Sequence, residues 1–285
     1  MPLSPSKLAQ LEAKAREVRR GAVTMTNRAQ TGHIGGALSE TDYLVALYYH
    51  LLNVKPDDPR WQARDRFVLS KGHCVEPLYW ILADLGFFPR EEILQFSKPG
   101  SHLIGHTNRE VPGIEMNTGA LGHGLSGTCG MALAAKLAGE SWRTFCLVGD
   151  GELAEGSIWE AAMFASHHHL DNLFVAIDRN GLQITGPTEE VMAQEPLAER
   201  WRAFGFDVDE VDGNDISAVV DALEASFGRQ GKPHLLILHT VKGKGVSFME
   251  NQTSWHHGRI TAEELERALA ELSDPADPAD EEVAS

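Results

Sequence analysis

The chain has 285 residues, 42% hydrophobic and 23% charged, which is ordinary globular usage with length enough to bury a core. Its net charge of −16 excludes a nucleic-acid-binding face, which needs clustered Lys and Arg. The three cysteines are scattered and form no CxxC pair, the N-terminus lacks the apolar core of a signal peptide, and no apolar run nears the roughly 20 residues of a membrane span. The expectation is a soluble, cytoplasmic protein with reduced thiols and no membrane partner.

Ser4 or Ser6 can cap a first helix that carries Leu8, Leu11, Ala15 and Val18 at helical spacing. It ends near TGHIGG (31–36), where three glycines suggest unusual backbone shapes. A second helix is expected over 39–52, capped by Ser39 with Asp42 in the capping-box position. A loop over 56–65 leads to a short apolar strand, RFVLS (66–70), followed by KGH. Helices are expected over 76–86 and 89–97. Residues 98–124 are rich in Gly, Pro, His and Asn, and a loop of that length is usually functional. LSGTCGMALAAKLAG (125–139) reads as a helix of small residues suited to close packing.

The pattern then changes. TFCLV (144–148), NLFVAID (172–178) and HLLILHTV (234–241) are apolar throughout, and helices are expected at 156–169 and 216–228. Continuous apolar strands joined by helices indicate a parallel sheet covered on both faces. FDVDEVD (206–212) alternates as a strand nearer an edge does. A last helix is expected over 261–272, followed by an acidic, disordered tail over 273–285. The fold class is α/β, with one domain over 1–272 and no internal repeat.

The chemistry gathers where apolar strands stop. In open parallel sheets, ligands bind beyond the carboxyl ends of the strands. The strand 144–148 runs into GDGELAEG (149–156), and the next ends before Asn180 in DRNGLQITG (178–186). One βαβ unit separates Asp150 from Asn180, so both side chains can reach one edge of the sheet. Their oxygens suit a hard cation such as Mg²⁺, which takes few protein ligands and completes its shell with phosphate and water. Gly151 lets a phosphate approach the backbone, and the N-terminus of the helix after Gly156 offers N–H groups.

GDG followed by Asn at this spacing resembles the thiamine diphosphate motif. TGHIGG (31–36), RDRFVLSKGH (64–73), GH (105–106), NTGALGHGLS (117–126), GDGELAEG, DRNGLQITG, TVKGKG (240–245) and WHHG (255–258) follow in the order seen in transketolases, and the likeness covers roughly residues 5–260. The resemblance implies a thiamine diphosphate-binding fold and the transfer of a two-carbon ketol unit from a ketose to an aldose, free or phosphorylated. It implies Asp150, Asn180 and the carbonyl of Leu182 as ligands of Mg²⁺, for which Ca²⁺ or Mn²⁺ can substitute. His73, Gly119, Ala120, Leu121, Gly151, Asn180, His257 and Glu155 correspond to cofactor-contacting positions. His33 and His106 correspond to histidines that touch the sugar's hydroxyls. His257, or its neighbour His256, corresponds to a histidine near diphosphate and substrate. Glu155 corresponds to a glutamate that reaches across a subunit interface.

Full-length members continue into a pyrimidine-binding domain, which carries the cofactor-activating glutamate, and a C-terminal domain. This chain resembles only the N-terminal portion. The expectation is therefore the N-terminal subunit of a split transketolase, working with a separate C-terminal subunit in an assembly of two of each chain. Two other readings stand beside it: the α-subunit of a 2-oxoacid dehydrogenase, and a non-catalytic cofactor-binding half-subunit. Glu152 is expected to face solvent or a subunit contact. HHH (167–169), His50 and His234 read as capping or polar groups, Tyr48, Tyr49 and Trp80 as core or interface, and KGKG (242–245) as a phosphate-gripping or mobile loop.

Overall fold

The strands that read as apolar throughout are the centre of the fold. The computed structural model describes residues 3–273. The strands β1 (Arg66–Leu69), β2 (Thr144–Gly149), β3 (Leu173–Arg179), β6 (Asp207–Asp212) and β7 (His234–His239) form one sheet in the order β1-β2-β3-β7-β6, every pair parallel. A two-stranded antiparallel flap, β4 (Leu182–Gln183) with β5 (Gly186–Pro187), follows β3 directly. β6, which alternates in sequence, is an edge strand.

Successive strand residues point to opposite faces, and each face carries its own core. On one side Phe67, Leu69, Phe145, Leu147, Phe174 and Leu236 pack with α1 (Pro5–Ala29), α2 (Ile34–Ala46), α3 (Glu76–Asp84) and α8 (Ile216–Ser226). On the other, Val68, Cys146, Val148, Val175, Ile177 and Leu235 pack with α4 (His123–Ala138), α5 (Gly156–His167) and α7 (Leu197–Ala203). A short helix, α6 (Thr188–Val191), precedes α7, and α9 (Ala262–Glu271) packs on α1. Thr261 and Glu264 close α9 with a reciprocal capping box. No helix among the described residues is long and apolar enough to cross a membrane. The tail from residue 274 onwards lies outside the described residues.

Several expectations need correction. The second helix begins at Ile34, inside TGHIGG, and gives way at Leu47–Leu51 to a π-helical turn. Ser39 is thus a mid-helix residue whose hydroxyl donates to the Gly36 carbonyl and to Asp178. The glycines of this stretch serve close approach, not unusual backbone shape. A Cβ at Gly35 would stand 2.7 Å from the Trp255 carbonyl, and one at Gly36 would stand 2.5 Å from Cys74 Sγ. The segment 89–97 is a single 3₁₀ stretch over Arg90–Gln95. The helices α6 and α7 had no counterpart in the sequence reading, because Pro187 and Pro196 break the periodicity around them.

Candidate active site

Four strands deliver chemistry to one edge of the sheet. β1 ends at Ser70–Lys71, β2 at Gly149–Asp150, β3 at Asp178–Asn180, and β7 is followed by Thr240–Lys242. Beyond these ends lies a cavity of about 410 Å³. Its walls include His33, His73, His106 and His256 together with Asp150, Asn180 and Leu182. Gly119, Leu121, Gly151 and Lys242 also line it.

Asp150 is 2% exposed. Its Oδ1 accepts from the Gly151 amide at 2.7 Å, and its Oδ2 from the Gly181 amide at 2.6 Å and Arg179 at 3.2 Å. Burial, with the nearby Asp178 charge, still raises its carboxyl above the usual range. That is the situation of an anion awaiting more positive charge. Asn180 donates Nδ2 to Asp178 at 3.0 Å, which orients its Oδ1 to accept from the Leu182 amide at 3.1 Å. Asp150 Oδ1 and Asn180 Oδ1 each take one hydrogen bond and retain a second lone pair. No cluster of three His, Cys, Asp or Glu side chains suited to a metal occurs among the described residues. A cation here would draw on one carboxylate, one amide and one carbonyl, a set that fits Mg²⁺ only when phosphate oxygens supply the rest.

The loop facing this edge is built on glycine. Gly119 has φ +119°, and a Cβ there would stand 2.2 Å from the His106 ring. A side chain would thus displace the histidine from the cavity wall. Thr118 anchors the loop through the Leu69 carbonyl at 2.5 Å and Thr107 at 2.6 Å. Ala120, between Gly119 and Leu121, is exposed. Glu155 is exposed at the start of α5 with its Cβ beside Gly122, so its carboxylate is presented outward.

The histidines form one cluster. The His33 ring lies 4.9 Å from His73, 5.9 Å from His106, 5.7 Å from His256 and 4.5 Å from His257, centre to centre. Burial holds His33 down at about 3, with the neighbouring imidazoles, and His256 at about 4, with Lys242 and Lys71 beside it; burial also pushes His73, beside Lys71, and His106, beside His257, below the usual imidazole range. These rings are therefore neutral at pH 7, each with one donor and one acceptor nitrogen, which suits polyol recognition and proton exchange. Of the two adjacent candidates, His256 lines the cavity, whereas His257 packs against His33 and reaches Thr31 Oγ1 at 3.2 Å. Lys242 Nζ approaches His256 Nδ1 at 3.1 Å. An ammonium only donates, so Nδ1 accepts and the His256 proton sits on Nε2.

The sequence reading missed several participants. Lys242, the first residue of KGKG, reaches the Leu182 carbonyl at 3.2 Å and lines the cavity, whereas Gly243, Lys244 and Gly245 do not line it. Lys71 is 3% exposed and is tied to Asp178, to the Gly36 carbonyl at 3.0 Å and to Glu40 at 3.0 Å. Arg179 joins Asp150 to Thr188, Glu189 and Glu195, and so ties α6 and the segment after it to the end of β2. Lys in SKGH and Arg in DRNG stand inside quoted motifs, but nothing local shows which way they turn. Glu152, expected at the surface, is 2% exposed and internally bonded.

The neutral histidines have a consequence for pH. An unfolded imidazole titrates near 6.5. Between about pH 6.5 and pH 4 the unfolded chain binds protons that the folded His33 and His256 refuse. Stability from these groups is complete above the unfolded value and is lost as the pH falls. The melting temperature is expected to drop from pH 7 to pH 5, and His33→Gln to flatten that slope. Identical slopes for the two proteins would contradict the assignment.

Residues 11–279 match the family described as transketolase, thiamine diphosphate binding domain. One of the subunits of apulose-4-phosphate transketolase from Phocaeicola vulgatus is 51% identical over 93% of this chain and 94% of its own length. The 6-deoxy-6-sulfo-D-fructose transketolase subunit of a Clostridium species is 42% identical, covering 92% of this chain and 96% of its own length. Human transketolase is 36% identical over 93% of this chain, which spans only 42% of the human protein. The structure of transketolase from Campylobacter jejuni superposes with a TM-score of 0.87 at 32% identity, covering 92% of this chain and 43% of that one.

Proposed function

We propose a function from one established premise: the chain belongs to the transketolase family, as its thiamine diphosphate-binding domain. In this reading it is the N-terminal subunit of a split transketolase that moves a two-carbon ketol unit from a ketose to an aldose. It does so together with a separate subunit that carries the pyrimidine-binding and C-terminal domains. Residues 1–272 are its single domain. The observation that carries the reading is the shared cavity. It brings a carboxylate–amide–carbonyl edge at Asp150, Asn180 and Leu182 together with the neutral histidines His33, His73, His106 and His256. The coverage supports the split: relatives named as subunits match along nearly their whole length, while full-length transketolases are more than twice as long.

Within it, Asp150, Asn180 and the Leu182 carbonyl hold a divalent cation, with Mg²⁺ the ordinary occupant. Gly151 and the N–H of His256 meet the diphosphate, and Lys242 supplies its counter-charge. Gly119, Ala120 and Leu121 lie along the cofactor's rings with His73 beside them. Bound thiamine diphosphate supplies a carbon nucleophile for cleaving and forming the ketose C–C bond. His33 and His106 hydrogen-bond the sugar's hydroxyls and exchange protons there, with His257 fixing the His33 ring from behind. Glu155 faces the subunit that completes the site, in an assembly of two copies of each chain. The substrates are ketoses with an anionic end, the type named for the two split relatives. The cytoplasm is the expected compartment.

The test uses this chain alone and mixed with the C-terminal subunit. Ketol transfer from a ketose phosphate is expected only in the mixture, with thiamine diphosphate and Mg²⁺ present. Full activity of the lone chain would overturn the split. Turnover of a 2-oxoacid in place of the ketose would make it a dehydrogenase subunit, and cofactor binding without turnover in the mixture a non-catalytic one.

A further inference from the structure

Glu152 occupies a position that a buried carboxylate reaches only at a cost of several kcal/mol unless donors meet it. Three do. Oε1 accepts from the Ser70 hydroxyl and from the Gly122 amide at 2.8 Å, and Oε2 accepts from the Gly149 amide at 3.0 Å. These donors belong to three separate segments. Ser70 follows β1, and Gly149 is the last residue of β2, directly before Asp150. Gly122 closes the loop of Gly119 to Leu121 and caps α4 with φ +85°. At a helix start the Gly122 N–H has no partner within the helix, so the carboxylate is its answer. Nor is there room to shift: a Cβ on Gly122 would stand 2.4 Å from Ser157 Oγ and 2.7 Å from Glu155 Cβ.

We propose that Glu152 is a positioning residue for the cofactor. Its carboxylate sets the spacing between the loop Gly119–Ala120–Leu121 and the turn Asp150–Gly151, the two walls that must grip the ring end and the diphosphate end of one ligand. A neutral isostere cannot do this, because a glutamine turns its NH₂ on at least one of the three donors. The inference rests on the thiamine diphosphate reading above and goes beyond it, since Glu152 itself need not touch the ligand.

The experiment compares wild type and Glu152→Gln in the assembled complex, titrated with thiamine diphosphate in excess Mg²⁺. Hydrogen exchange of the segment 118–123 is followed in the same samples. The expected result is a cofactor Kd raised at least about tenfold, as for lost supporting hydrogen bonds at other ligand sites. Exchange should quicken at 118–123 and not in β2 or β3, and the KM for the ketose at saturating cofactor should stay unchanged. A Kd within twofold of wild type overturns the proposal, as does faster exchange throughout the sheet, which would mean general loosening. If Glu152→Gln does not fold, Glu152→Asp carries the test, since its carboxylate is one methylene short of bridging Gly122 and Gly149. Wild type that binds no thiamine diphosphate would overturn the cofactor reading itself, an outcome distinct from equal binding by wild type and variant.

Discussion

Replacing Asp150 by asparagine is expected to end cofactor retention while leaving the fold intact. The substitution keeps the shape and a carbonyl oxygen but removes the one formal anion among the proposed metal ligands. Two charges in a site walled off from water interact far more strongly than at the surface. Loss of metal affinity by at least about 100-fold is therefore expected, with ketol transfer falling in parallel. Stability should fall modestly: relief of the buried charge beside Asp178 is offset by the amide NH₂, which must face either the Gly151 N–H or the Gly181 N–H and Arg179. Arg179 keeps Glu189, Glu195 and Thr188 as partners. Titration of the assembled complex with Mg²⁺ at fixed thiamine diphosphate, beside a melting curve of the cofactor-free protein, reads both quantities. Metal affinity within threefold of wild type would remove Asp150 from the metal site.

Lys71→Met is expected to have the largest effect on folding. Asp178 is fully buried and remains ionised, held low against its burial by Lys71 and by the hydroxyls of Ser39 and Thr240. Glu40 lies 3.0 Å from Lys71 Nζ without the angle of a hydrogen bond, and burial drives its carboxyl well above the usual range. Lys71 stays protonated because the charges around it outweigh its own burial. Lys71 and Asp178 are thus the hydrogen-bonded pair, with Glu40 beside them making no hydrogen bond. Removing the lysine leaves a buried anion without its cation, which costs about 3–5 kcal/mol. Glu40→Gln leaves the Lys71–Asp178 pair in place and should cost far less. Denaturant unfolding of the two variants provides the comparison, and a loss from Lys71→Met no greater than from Glu40→Gln would refute the pairing. Asp178 also bonds Asn180, so Lys71→Met should weaken cofactor binding as well, through a residue it does not touch.

Much of the architecture could be read from the order of apolar residues along the chain. Runs such as FCLV and LFVAI have no polar face, and only a strand covered on both sides tolerates that. The sheet and its edge strand follow from that pattern. Element boundaries were less legible wherever a tertiary contact replaced a local signal. α2 runs through two glycines because Trp255, Lys242 and Cys74 press against it, and Ser39, a natural cap, bonds Asp178 instead. Asp150 and Asn180 were legible as a pair because a βαβ unit returns the chain to the same edge. His256 and His257 were not separable, since adjacent residues share every local cue and differ only in where their rings turn.

The three acids of GDGELAEG mark the division. That Asp150 ends a buried strand beside glycines is legible locally, because hydrophobic period and strand length are local properties. Residue types at one-crossover spacing point to the cation-and-diphosphate chemistry proposed above. That Glu152 faces inward while Glu155 faces out is set by the fold. A carboxylate's environment is set by groups distant along the chain: Ser70 and Gly122 lie 82 and 30 residues from Glu152. Their hydroxyl and amide donors, with the Gly149 amide three residues away, offset the cost of burial there.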